Sequence, residues 1–150
     1  MITLKLALLA DYAIISNEGK LCIMGIFDRI HAAQSPITHP AMHLVVTFEA
    51  DSRDAGKKHS VEFELIDADG HGLFKIGGEL FFSPPPLGEV ARFNHILNLN
   101  NLVFKDFGTY EFKVLVNQEV RGSVPLRLVE ARPKSLTPPP EPGPEQTGSA

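Results

Sequence analysis

Three runs of this chain alternate apolar and polar residues with a period of two. In "HLVVTFEA", Leu44, Val46 and Phe48 share a side opposite His43, Thr47 and Glu49. In "SVEFELID", Val61, Phe63 and Leu65 oppose Ser60, Glu62 and Glu64. In "TYEFKVLVN", Tyr110, Phe112, Val114 and Val116 oppose Glu111 and Lys113. Successive side chains of a strand point to opposite faces, so each run buries one face and wets the other. A slip of one residue would turn the whole apolar set to water, which fixes the register. No window sustains a helical period.

Between the runs stand "SNEGK", "DSRDAGK", "DADGHG", "SPPPLGE" and "NQEVRG", each with the Gly, Asn, Asp or Pro that a reversing backbone needs. About eight strands follow: 2–14, 20–31, 42–50, 58–66, 73–82, 91–99, 109–117 and 120–129. Short strands at regular spacing predict an all-β fold, a two-sheet antiparallel sandwich. "DFGTYEF" sets Asp106, Gly108 and Tyr110 at the spacing of a tyrosine corner, which makes the layout immunoglobulin-like; a plain turn before a strand explains the same letters. The immunoglobulin cysteine pair is absent. The second run, "LCIMGIFDRI", is apolar on both faces and is expected at the centre of a sheet. Pro125 cannot donate to a ladder and marks the last strand as an edge.

Composition breaks near Glu130. Residues 1–130 form the sandwich domain, and 131–150 read as a disordered tail. From Pro133 onward, "PKSLTPPPEPGPEQTGSA" holds half of the 12 prolines and one large aliphatic residue, Leu136. Such a segment buries too little to repay the entropy of ordering, though "PPPEP" can dock in an aromatic groove. Basic residues number 14 against 18 acidic, a net charge of −4, with no lysine-arginine run. That argues against nucleic acid and against an anionic membrane surface as partners. No stretch approaches the roughly 18 apolar residues of a membrane span. Lys5 followed by "LALLA" resembles the start of a secretion signal, but the run is short and Asp11 interrupts it. Cys22 is the single cysteine, so no internal disulfide and no multi-cysteine zinc site can form. A cytoplasmic protein is the expectation.

Motifs for catalysis are missing: there is no "GxSxG", no phosphate-cradling glycine loop and no "HExxH". Cys22, among Leu21, Ile23 and Met24, reads as a packed, inert thiol. Asp28 and Arg29 read as charges at a strand rim. His39 and His43 have the spacing of a helical zinc pair, but Pro36 and Pro40 exclude the helix. His95, on the face of Phe93, Leu97 and Leu99, reads as a core histidine. If each strand crosses the sandwich once, loops 32–41, 67–72 and 100–108 share one end. That end gathers His39, Asp67, Asp69, His71 and Asp106, with His31 at an adjoining strand tip, residue types that suit a transition metal. The opposite end gathers Glu18, Asp51, Asp54 and Glu89, a thin acidic set for calcium. In "RFNHILNLNNLVF", Asn94, Asn98 and Asn100 recur on one face with Arg92, an amide ladder able to bind sugar or backbone and equally consistent with an exposed sheet face.

The blocks "LLADYA", "GKLCIMGIFDRI", "HPAMHLVV", "NHILNLNNLVF" and "GTYEFKVLVN", which fall within residues 4 to 129, together resemble an uncharacterised bacterial family of domains of unknown function. The resemblance implies a compact β-rich domain. It carries over no activity and no catalytic residue.

Three functions remain in view. The first is a non-enzymatic protein-interaction or scaffold module with no cofactor, with self-association through an edge strand as a possible mode. The second is a small-ligand or carbohydrate binder using Arg92, Asn94, Asn98 and Asn100. The third is a metal-dependent enzyme with a loop-end site drawn from His31, His39, Asp67, Asp69 and His71.

Overall fold

The computed structural model describes residues 1–131, so the proline-rich tail lies outside the described residues. Nine strands are present among them: β1 Ile2–Ile15, β2 Leu21–Phe27, β3 Arg29–Ala32, β4 Ile37–Ala50, β5 Lys58–Ile66, β6 Gly72–Phe81, β7 Ala91–Phe104, β8 Gly108–Val116 and β9 Glu119–Glu130. They form two sheets, β2-β1-β4-β7 and β3-β9-β8-β5-β6. All pairs are antiparallel except β3 with β9. The neighbours β9-β8-β5 and β4-β7 are those of strands G-F-C and B-E in an immunoglobulin-type sandwich.

The alternating runs supply the core. Leu44, Val46 and Phe48 of β4 face Val61, Phe63 and Leu65 of β5 and Phe112, Val114 and Val116 of β8 in one buried cluster. The Tyr110 hydroxyl donates to the Asp106 carbonyl oxygen at 2.6 Å and accepts from the Asp106 N–H at 3.3 Å. The corner is therefore formed, with the ring edge-on to Phe104 at 5.0 Å. Burial pushes the phenol above its ordinary pKa. Tyr110→Phe leaves two backbone groups without this partner and is expected to cost about 1–2 kcal/mol in denaturant melts.

Three expectations need correction. The run 20–31 is not one central strand. Asp28 breaks it, its carbonyl accepting from the Arg127 N–H at 2.9 Å, and the chain passes from β2 in one sheet to β3 in the other, each at an edge. Cys22 is exposed rather than packed. The last strand is an edge only in part: β3 covers Arg127–Glu130, and Pro125 sits in the uncovered half, opposite Glu111. There its missing N–H breaks no ladder bond to β3.

The first strand does something that a sandwich strand rarely does. Residues up to Ala10 pair with β4, and residues from Leu9 onward pair with β2. Run straight, β1 would put Leu21, the partner of Ile15, roughly 30 Å from Leu6. Instead Leu21, Lys20 and Gly19 line one cavity with Lys5, Leu6, Thr47 and Arg92. The hairpin thus bends back and lies over the outer face of the four-stranded sheet. The bend falls at Asp11 and Gly25, where Gly25 has φ 71° and the Asp11 carboxylate occupies the space of a Cβ. Leu8, Val45 and Ile96 form a row on that outer face by register, and Val45 is 0% exposed although it is not part of the sandwich core. A small second core, with Ala10 and Ala13 also buried, seats this arm. The Ala13 N–H donates to His43 Nδ1 at 3.2 Å, and the Tyr12 ring lies 5.5 Å from the His43 ring.

Candidate functional sites

At one end of the sandwich, the β5–β6 turn and the β7–β8 loop enclose a cavity of about 420 Å³ lined by Asp67, Asp69, His71, Lys105, Phe107 and Tyr110 among others. Ligand atoms of Asp67, Asp69 and His71 lie within 4.8 Å of one another. His31 and His39 do not join that group: His31, on β3, pairs with Val129 of β9, and the His39 ring packs 6.1 Å from Phe27. The Asp67 carboxylate is already engaged. One oxygen accepts from the N–H groups of His71 at 2.8 Å and Asp69 at 2.9 Å, and the other lies 3.5 Å from His71 Nδ1. The His71 backbone N–H is the main cause that holds its pKa below the usual carboxylate range. The geometry is that of a turn locked by its own aspartate.

A second, shallow cavity of about 570 Å³ lies under the tip of the arm. Arg92 Nη2 donates to Glu49 Oε1 at 2.6 Å, and Lys5 Nζ stands 3.7 Å from Glu49 Oε2. The Arg92 hydrogen bond, with Lys5 behind it, lowers the Glu49 pKa. Thr47 Oγ1 donates to Asn94 Oδ1 at 2.7 Å. Of the amide ladder, Arg92 and Asn94 line this cavity, while Asn98 and Asn100 lie farther along β7 opposite His43 and Ala41. The four do not form one site.

Between the sheets His95 stacks near Phe63 at 6.0 Å and Phe93 at 6.3 Å. Burial lowers its pKa from the ordinary value of 6.5. The unfolded chain therefore binds a proton in a range where the folded chain does not. Stability from this group is full above about pH 6.5 and falls as the pH drops from there toward the folded pKa. Melting temperatures taken from pH 7.5 to pH 5 are expected to decline, and His95→Phe is expected to flatten that slope.

The third feature escaped the sequence patterns. On the outward face of the arm Tyr12 opposes Met24, Ile14 opposes Cys22, and Ile26 follows beside Ala10. Tyr12 is 51% exposed, and Met24 and Ile26 are each 66% exposed. The outer face of the five-stranded sheet is the opposite in character, laced by Lys75–Glu62 at 3.4 Å and Lys58–Glu79 at 3.9 Å. The signal was present in "ADYAIISNEGKLCIMGI": two strands apolar on both faces, with a lone glycine inside one of them.

A family model described as a family of unknown function (DUF6941) matches residues 5–129. The chain belongs to this family. The match spans the sandwich and the arm together, from Lys5 to Val129. No curated protein matches the chain. Among solved structures, it is similar to the Pseudomonas fluorescens alkylpurine DNA glycosylase AlkC bound to DNA containing an abasic site analog, at 16% identity and a TM-score of 0.49. That similarity covers 85% of this chain and 30% of the other. No helix among the described residues is long and apolar enough to cross a membrane.

Proposed function

We propose that this domain is a non-enzymatic protein-interaction module that presents the outward face of the β1–β2 arm to a partner. The observation that carries the reading is the arm itself. A hairpin seated on one sheet by Ala13, Val45 and His43 turns Tyr12, Ile14, Met24 and Ile26 to water on its other side. Contiguous exposed apolar side chains of this kind mark interaction surfaces, and a tyrosine and a methionine among them suit a protein partner. The net charge of −4 and the lack of a basic run speak for protein rather than nucleic acid. A cytoplasmic setting fits a lone exposed thiol. Tagged full-length protein is expected to capture a specific protein from source-cell lysate, and Met24→Glu is expected to reduce that capture to background. Undiminished capture by the variant would sink the reading.

A second reading rests on the convergence of Lys5, Lys20 and Arg92 with Asn94 around the cavity under the arm tip. Glu49 lines the same cavity and holds Arg92, so the mixed set favours a small polar ligand such as a sugar. A ligand of the native state must raise the melting temperature, so a panel of sugars and sugar acids with no shift removes this reading.

A further inference from the structure

Among the described residues β2 closes one side of its sheet and pairs only with β1. Leu21–Phe27 contains no charged residue and no proline. Of the other outer strands, β6 carries Lys75 and Glu79, β3 is four residues long with Arg29 among them, and β7, charged only at Arg92, is interrupted by Asn94, Asn98 and Asn100 and by a positive φ at Asn101. Such charges oppose edge-to-edge pairing, and β2 lacks them. Its regular stretch is bounded by two glycines of positive φ, Gly19 at 81° and Gly25 at 71°. Residues 20–24 lie between them, and the midpoint is Cys22.

We propose that the free edge of the arm docks a second copy of this chain, by antiparallel pairing of the two β2 edges about a two-fold axis at Cys22. The inference rests on the reading of the arm as an interaction surface and adds an occupant for its free edge, leaving the outward faces of the two arms side by side. In this register the straight stretches of both copies overlap in full. Leu21 faces Ile23 of the second copy, Lys20 faces Met24, and Cys22 faces its own copy. The lone charge of the stretch, Lys20, meets a thioether chain, while its ammonium stays with Glu18 at 3.0 Å. No like charges are opposed within the stretch, and the backbone groups left over on each edge satisfy one another. Met24 and Cys22 of both copies then join Tyr12 and Ile14 in one continuous apolar surface.

Light scattering of the full-length chain is expected to give twice the 16.4 kDa chain mass, falling toward one chain on dilution. Directly opposed residues of an antiparallel pair have Cα atoms roughly 4.5–5.5 Å apart, within reach of a disulfide. Mild oxidation with diamide is therefore expected to link two chains through Cys22. Cys22→Ser keeps the doubled mass and loses the link. Cys22→Lys, which opposes two ammonium groups on the axis, gives a folded monomer by circular dichroism and light scattering. A monomer at every concentration, or a Cys22→Lys dimer, overturns the inference. If the wild-type chain is monomeric and its capture of a lysate protein is still lost in Met24→Glu, the second copy is wrong and the arm reading stands.

Discussion

Val45→Asp is expected to destabilise the domain by roughly 3–5 kcal/mol, the cost of an uncompensated charge left inside a protein. In a plain two-layer sandwich this would be a mild change. Val45 alternates with Leu44 and Val46, which fill the core, so its side chain leaves the sandwich on the outer face. The arm folded over that face accounts for its 0% exposure. Ser123→Asp on the exposed outer face of β9 is the control, expected within about 0.5 kcal/mol of the wild type. Urea melts of the two variants measure both costs. Two equally small values would mean that the arm is not seated on the sheet.

Phe112→Ala is expected to cost about 3–5 kcal/mol, because the cavity it leaves adds to the lost transfer energy. Phe112 is fully buried, on a strand flanked by β5 and β9, with Phe74 edge-on at 6.4 Å. Phe74 belongs to the outer strand β6 and is only half-buried, so Phe74→Ala removes less buried area. It is expected to cost less than Phe112→Ala, under about 3 kcal/mol. Equal costs in denaturant melts would move the centre of the core toward β6.

Much of the sandwich was legible in the residues. Period-two runs placed β4, β5 and β8, because burial on one face leaves a plain trace in sequence, while the turn letters gave about eight strands where nine are present, missing the break at Asp28. The spacing of Asp106 and Tyr110 offered the corner beside a plain turn, and the hydroxyl's bonds to the Asp106 backbone decide between them. The arm was not legible for a specific reason. Ile14, Met24 and Ile26 have the composition of buried residues, and alternation cannot distinguish a face sunk in a core from one presented to solvent. Both faces of "LCIMGIF" are apolar because one sits on a second, smaller core and the other is exposed. The centre of a sheet was the natural expectation and the wrong one. Gly25 held the clue, since an isolated strand glycine signals a bend or a close approach. The candidate metal residues show the complementary limit. Strand order brings Asp67, Asp69 and His71 to one end, but whether His31 and His39 reach them depends on distances that periodicity does not encode.

The most direct test of the arm as the working surface is photo-crosslinking in living source cells. A photoreactive phenylalanine analogue replaces Tyr12 on the arm or Lys113 on the outer face of the five-stranded sheet. Specific protein crosslinks are expected from position 12 and background from position 113. Crosslinks from position 113 with none from position 12 would contradict the arm as the working surface.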